Sequence, residues 1–257
     1  MQKLVLFLVI ISVVLIGLGS GCGNTKDEKS TWEETAINQM PLLQEALDAR
    51  KAEFEQEAPA ELKALLSASI DSVAQSGVLE TALRESDTAP DFALPNANGE
   101  IVALSQLLED GPVVLSWYRG GWCPYCNIQL NAYNDILDEI IAAGGQLVAI
   151  TPEIPDSSLS TVEKNNLKFE VLSDLGNKVA EQFRIAYTLS TEIIPIYREH
   201  IGLAAFNNDN SNILPLAATY IIDSDQIITY AFIEADYKKR AEPADIIKVL
   251  KMMQSAK

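Results

Sequence analysis

The sequence is poor in the residues that most site chemistry uses. It has three cysteines, Cys22, Cys123 and Cys126, and one histidine, His200. A structural zinc site wants four Cys or His ligands, and Cys22 reads as serving another purpose, so no metal and no cofactor is expected. Three cysteines also exclude the dense disulfide framework of small secreted domains. Positive charge is scarce too. Nineteen Lys and Arg stand against 36 Asp and Glu, a net charge of −17, and the longest basic run is Lys238-Lys239-Arg240. Phosphate binding needs clustered Lys and Arg, which argues against nucleic acid as a partner. The chain has no internal repeat and no low-complexity tract. Its 257 residues suffice for one large domain with extensions.

The N-terminus carries the longest apolar run. Lys3 precedes residues 4–18, interrupted only by Ser12 and Gly17, and Gly19-Ser20-Gly21-Cys22 follows. The run is short for a membrane span, which takes about 20 residues. The pattern resembles a bacterial lipoprotein signal, which implies lipidation of Cys22 and an anchored protein outside the cytoplasm, in the periplasm or cell envelope. An uncleaved signal anchor and plain secretion stay open as alternatives. Residues 1–22 are therefore expected to be a signal segment, 23–57 a tether and a first helix, and 58–257 the main domain. Residues 23–30 are polar, as a flexible tether requires. Residues 31–57 have helical composition, with Pro41 marking a break or a fresh start. Pro59 can open a second helix, whose apolar positions Leu62, Leu65, Leu66, Ile70, Val73 and Ala74 follow the helical period until Gly77.

In the main domain, Asn98-Gly99 predicts a tight turn between short strands, and Ser105 a helix cap. The apolar stretch 113–117 predicts a buried strand, 128–141 an amphipathic helix ending near Gly144-Gly145, and 147–150 a second buried strand. Strand, helix, strand implies a crossover joining a parallel pair. Further helices are expected at 159–166, 177–183 and 192–203, with a short strand near 169–172. A hairpin follows around Ser224-Asp225, and Glu242-Pro243 opens a last helix.

Cys123 and Cys126 fall at the start of the predicted cysteine helix, in Arg119-Gly120-Gly121-Trp122-Cys123-Pro124-Tyr125-Cys126. Unpaired N–H groups and the helix dipole favour negative charge there, which lowers a thiol pKa and makes the thiolate, the reactive form. Pro124 suits the first turn, where a missing N–H removes nothing. Two cysteines one turn apart cross-link almost nothing, so a stabilising disulfide explains them poorly. The residues alone favour Cys123 as nucleophile, since it is nearer the helix end. Arg119 can stabilise a thiolate or a leaving oxygen, or be an exposed turn residue. Trp122 and Tyr125 are expected to line the site. Glu153 closes the strand beside the cysteine strand, where strand ends border a site, and reads as a solvated loop carboxylate or, as the alternative, an aid to proton transfer; residues 240–242 read as capping and charge-pairing positions, and His200 as an ordinary core or surface side chain.

The order of elements resembles the thioredoxin fold, an α/β fold with a central mixed sheet flanked by helices, here with an N-terminal helical extension. Ala89-Pro90-Asp91-Phe92-Ala93-Leu94, the arginine–cysteine stretch above, Leu172-Ser173-Asp174 and Ala218-Thr219-Tyr220-Ile221-Ile222-Asp223 resemble the peroxiredoxin-like branch of the alkyl hydroperoxide reductase/thiol-specific antioxidant (AhpC/TSA) superfamily. The resemblance implies a thiol antioxidant enzyme that reduces hydrogen peroxide or organic hydroperoxides. The electron donor it implies is a dithiol of the thioredoxin or glutathione systems. In the family pattern P-x-x-x-[T/S]-x-x-C the last cysteine attacks, and that position is Cys126 here. Cys123 then stands where Thr or Ser is expected, Arg119 where Pro is, and Ala217 where a distant arginine is.

Two chemistries fit the pair, and both end in a Cys123–Cys126 disulfide. In one, a thiolate attacks a peroxide and the other cysteine resolves the sulfenic acid. In the other, of thioredoxin type, the pair exchanges with a protein or small-molecule disulfide. A non-catalytic, membrane-anchored binding module is the third reading.

Overall fold

Val113-Val114-Leu115-Ser116-Trp117 has no charged residue, as a strand covered on both faces requires. In a computed structural model, which describes residues 42–255, this is β3 (Val113–Trp117), and all five residues are buried. It lies at the centre of a five-stranded sheet. On one side β4 (Gln146–Thr151) pairs with it in parallel, and β5 (Glu170–Ser173) extends the parallel set. On the other, β8 (Thr219–Ile222) and β9 (Ile228–Phe232) form the expected hairpin, antiparallel to β3 and to each other. A separate pair, β1 (Ala93–Pro95) and β2 (Ile101–Ala103), turns at Asn98-Gly99 as expected.

Alternation along β3 divides the core into two layers. Val113, Leu115 and Trp117 enter one cluster, where Trp117 packs 4.7 Å from the Phe183 ring and 5.8 Å from that of Tyr220. Val114 and Tyr118 enter the other, which also holds both cysteines. Trp117 and Tyr118 are thus both in the core, on opposite faces of the sheet.

The helix between β3 and β4 is two helices, α4 (Pro124–Asp135) and α5 (Leu137–Ala142), because Ile136 leaves helical geometry at φ −106°, ψ 13°. Its crossover still joins a parallel pair. Helix α3 (Leu104–Asp110) is not capped by Ser105, which lies inside it; Asp91 Oδ1 accepts the Ser105 N–H instead, at 2.9 Å. Helices α6 (Pro155–Asn165) and α7 (Lys178–Gln182) flank β5, and α8 (Pro243–Ser255) closes the chain, burying Ile246, Ile247 and Leu250.

The helical extension begins with α1 (Leu43–Glu57) and α2 (Ala60–Ala74). Leu43 and Leu47 of α1 are buried in the cluster that holds the cysteines. No residue of α1 caps its own first turn, but both carboxylate oxygens of Glu242 do, accepting the Leu43 and Gln44 N–H groups at 2.8 Å. That tie joins the extension to the start of α8. The expected signal at 1–22, the lipidation at Cys22 and the tether lie outside the described residues. No described helix is long and apolar enough to cross a membrane.

One expected helix is not a single helix. Residues 192–203 form a turn at Ile194–Ile196, a wide turn at Tyr197–Ile201 and a break at Gly202, whose φ of +74° is left-handed. A short helix, Leu203–Asn207, follows. The excursion is pinned at its base by two strands that local sequence patterns do not reveal, β6 (Ala186–Thr188) and β7 (Ile213–Pro215). It brings Tyr197 to the cysteines.

Candidate active site: a cysteine pair between two buried arginines

The turn from β3 to α4 needs its two glycines. Gly120 has φ +151°, and a Cβ there would stand 2.1 Å from Trp122 Nε1. A Cβ on Gly121 would stand 2.0 Å from Thr161 Oγ1. The tight turn lets Trp122 fold over Arg119, whose guanidinium carbon lies 5.1 Å from the ring centre. Cys123 occupies the N-cap of α4, followed by Pro124 at the first helical position. The Cys126 N–H donates to the Cys123 carbonyl at 3.1 Å, so the two cysteines share one turn. Both are free thiols and both are buried. The predicted Cys123–Cys126 disulfide is therefore not the state this structure describes.

Each sulfur has its own arginine. Arg119 is 2% exposed, so it is not an exposed turn residue, and its Nη1 lies 4.0 Å from Cys123 Sγ. It sits among aromatic faces, 4.1 Å from the Tyr237 ring centre and 5.4 Å from that of Tyr197, and Nη2 donates to the Tyr197 hydroxyl. Arg240 is also 2% exposed, and its Nη2 donates to Cys126 Sγ at 3.4 Å. Its Nε donates to the Tyr237 carbonyl at 2.8 Å and its Nη1 to Gln129 Oε1, so the whole fork is fixed. Residue 240 is thus no surface charge-pairing position. Among the described residues neither arginine forms an ion pair with a carboxylate. Buried cations without counterions are unfavourable, and an anion between them relieves that.

The sulfurs supply the anion. Burial alone would push the Cys126 thiol up, but the hydrogen bond from Cys123, then the Arg240 and Arg119 charges, hold it well below the usual thiol range. Burial and the neighbouring Cys126 sulfur push Cys123 well above that range. The balance of these charges favours the thiolate on Cys126 and the proton on Cys123. This reverses the expectation from helix position, which put the thiolate on Cys123. Proximity to the helix end is outweighed by a guanidinium in contact with the deeper sulfur.

Glu153 is likewise not a solvated loop residue. It is fully buried after β4 and accepts the Gly121 N–H at 3.0 and 3.1 Å through its two oxygens. Burial raises its carboxyl to about 7; the Gly121 N–H opposes the rise and the Cys126 charge adds to it. His200 is exposed on the excursion and meets none of these groups.

A cavity of about 560 Å³ opens onto this arrangement. Arg119, Trp122, Cys123 and Tyr125 line it, together with Phe54 and Leu66 of the extension. Cys126 lies behind Cys123 and does not line the cavity. The structure thus brings together Cys123, Cys126, Arg119, Trp122 and Tyr125. It adds Arg240, Tyr197 and Tyr237, which no sequence pattern placed there, and it buries Glu153, at the end of the strand beside the cysteine strand.

The sequence profile of the AhpC/TSA family matches residues 86–231. The chain belongs to the AhpC/TSA family. Among its relatives, chloroplastic peroxiredoxin Q of Triticum aestivum is 26% identical over 175 residues, 68% of this chain and 70% of that protein. Peroxiredoxin Bcp of Escherichia coli is 33% identical over 103 residues, 40% of this chain and 65% of its own length. The crystal structure of peroxidoxin BcpB from Mycobacterium tuberculosis has a TM-score of 0.53 at 23% identity, over 66% of this chain and 98% of that one, which shows the shared fold. These relatives are peroxiredoxins, which are thiol-dependent peroxidases, and the chain is a peroxiredoxin-like enzyme of this family. The AhpC/TSA match contains Arg119, both cysteines and Glu153. Arg240 and the two helices of the extension lie outside it.

Proposed function

We propose that the chain reduces hydroperoxides through the Cys123–Cys126 pair, with Cys126 attacking. The observation that carries this reading is the Arg240 Nη2 contact, 3.4 Å from Cys126 Sγ, with no carboxylate paired to that arginine among the described residues. A peroxide enters the cavity and must pass Cys123 and Arg119 to reach the Cys126 sulfur behind them. The Cys126 thiolate attacks the nearer peroxide oxygen and the O–O bond breaks. The leaving alkoxide takes the Cys123 proton and departs as an alcohol, leaving a sulfenic acid on Cys126. The Cys123 thiolate then attacks that sulfur and expels hydroxide, which is protonated to water. Two electrons have passed from the sulfurs to the O–O bond, and a Cys123–Cys126 disulfide remains. An external thiol reductant restores the pair.

A thiol–disulfide oxidoreductase is the second reading. It is favoured by the cavity opening on Cys123, where an incoming disulfide would meet that sulfur first. Stopped-flow oxidation of the reduced protein separates the two, with hydrogen peroxide, an alkyl hydroperoxide and a model protein disulfide as oxidants. Peroxide rates no faster than those of a free cysteine thiolate would sink the peroxidase. Inertness to all three would leave a binding module.

We further propose that the enzyme works outside the cytoplasm of a bacterium, anchored through a lipid on Cys22. The apolar run 4–18 followed by Gly19-Ser20-Gly21-Cys22 supports it. Labelled palmitate incorporated by the wild type and equally by Cys22→Ala would remove it.

A further inference from the structure

From the cavity over Cys123 we infer that the reductant of the oxidised pair is a small thiol carrying carboxylates, of tripeptide size, bound in that cavity. The inference rests on the reading that the pair cycles through a disulfide. Cys123 is 1% exposed and Cys126 is 0% exposed, under a wall that α1 and α2 complete. Disulfide formation requires no opening of that wall. The cysteines already share one helical turn, with Cys126 N–H on the Cys123 carbonyl at 3.1 Å, so a disulfide closes without unwinding α4 or displacing α1. Meanwhile Glu242 keeps α1 tied to the start of α8. A protein dithiol would have to insert its own cysteine helix into a space of about 560 Å³, which suits a small ligand.

Charge then selects the kind of small thiol. The chain as a whole is −17, yet the cavity lining holds five cations, Arg50, Lys51, Lys63, Arg119 and Lys238, against Glu55, Asp71 and Asp236, a local balance of +2. Arg50, Lys63 and Lys238 are taken by acidic neighbours. Lys51 on α1 and Arg119 beside Cys123 form no ion pair among the described residues, and neither does the lining carboxylate Asp71. Two unpaired cations against one unpaired carboxylate leave the cavity net positive, which favours a ligand carrying carboxylates.

The chemistry follows from which sulfur faces the cavity. The small thiolate attacks Cys123 Sγ, the S–S bond breaks, and Cys126 leaves as a thiolate onto Arg240. A mixed disulfide remains on Cys123. A second small thiolate attacks the small-thiol sulfur of that mixed disulfide, and Cys123 leaves and takes up a proton. Two small thiols have given two electrons and become one small disulfide.

The test isolates this half of the cycle. The full-length chain is oxidised with diamide, without any peroxide, and thiol release is followed with glutathione, glutathione diethyl ester or reduced thioredoxin. Loss of peroxide reactivity would overturn the peroxidase and leave this result standing. Glutathione is expected to reduce the pair at least about tenfold faster than its diester, the effect of one charge-assisted contact. Lys51→Glu, a change at an exposed position, is expected to collapse that preference. Cys126→Ser is expected to trap one glutathione on Cys123. Thioredoxin outpacing glutathione at equal concentration would overturn the inference. So would an acid-to-ester ratio near one, or a ratio that Lys51→Glu leaves intact.

Discussion

Arg240 Nη2 donates to Cys126 Sγ at 3.4 Å, from a loop 114 residues further along the chain. The arginine's other nitrogens hold the Tyr237 carbonyl and Gln129, so the guanidinium cannot turn away. A fixed charge on a buried sulfur favours its thiolate, because the only alternative is an uncompensated cation.

Replacing Arg240 by Met should therefore raise the Cys126 pKa and slow its attack on peroxide at neutral pH. A hydrogen bond to a charged group contributes roughly 1.5–3 kcal/mol, so the loss is expected at about 10- to 150-fold. Titrating thiolate absorbance in the ultraviolet and measuring the peroxide rate at several pH values checks both parts. A slower rate with an unchanged titration would place Arg240 on the leaving oxygen instead.

Arg119 should matter differently. It stands 4.0 Å from Cys123 and lines the cavity, so it acts on what approaches that sulfur more than on the Cys126 charge. Arg119→Met is expected to slow peroxide turnover by roughly tenfold, the effect of one charge-assisted contact, while moving the Cys126 titration less than Arg240→Met does. The comparison needs only the same two measurements. An unchanged rate and an unchanged titration would remove Arg119 from the site.

Glu153 makes stability depend on pH in a direction unusual for a carboxylate. Its carboxyl rises from 4.5 to about 7 on folding, so the folded state holds the proton more tightly. The associated stability is full below pH 4.5 and is lost as pH rises through 7, a span of about 3 kcal/mol. Glu153→Gln keeps an acceptor for the Gly121 N–H and carries no charge. Wild type should lose stability relative to this variant between pH 5 and pH 8 in urea unfolding. A constant difference across that range would contradict the assignment.

Glu242→Ala should loosen the extension. Both N–H groups at the start of α1 lose their acceptor, which corresponds to about 1 kcal/mol for a helix cap. Hydrogen exchange is expected to speed up in α1 with little change in the β3–β4 strands. Uniform acceleration would mean that α1 opens only with the whole domain.

The sequence showed the fold and half of the site, for identifiable reasons. Residues 113–117 and 147–150 have a period and composition that permit little but buried strands, and Cys-x-x-Cys after a strand marks its own position. The rest was set by contacts that local patterns do not encode. Arg240 follows Lys238-Lys239 and precedes Glu242, so it reads as a surface charge; only the packing of the β9–α8 connection onto α4 buries it. Glu153 looks like any loop carboxylate until the Gly120-Gly121 turn closes over it. Residues 192–203 carry a helical pattern but also Pro195 and Gly202, and the left-handed Gly202 ends the run. Resemblance to the family pointed to Ala217 for the distant arginine, and the fold supplies one from another connection.

The most direct measurement is which sulfur a peroxide oxidises. Reduced Cys123→Ser and Cys126→Ser variants are mixed with an alkyl hydroperoxide, sulfenic acid is trapped with dimedone, and the modified residue is identified by mass spectrometry against time. Rapid modification of Cys126 is expected in Cys123→Ser, because a serine hydroxyl still donates to the Cys126 thiolate and Arg240 is untouched. Little modification is expected in Cys126→Ser. Rapid modification of Cys123 in Cys126→Ser, with Cys123→Ser inert, would contradict attack by Cys126.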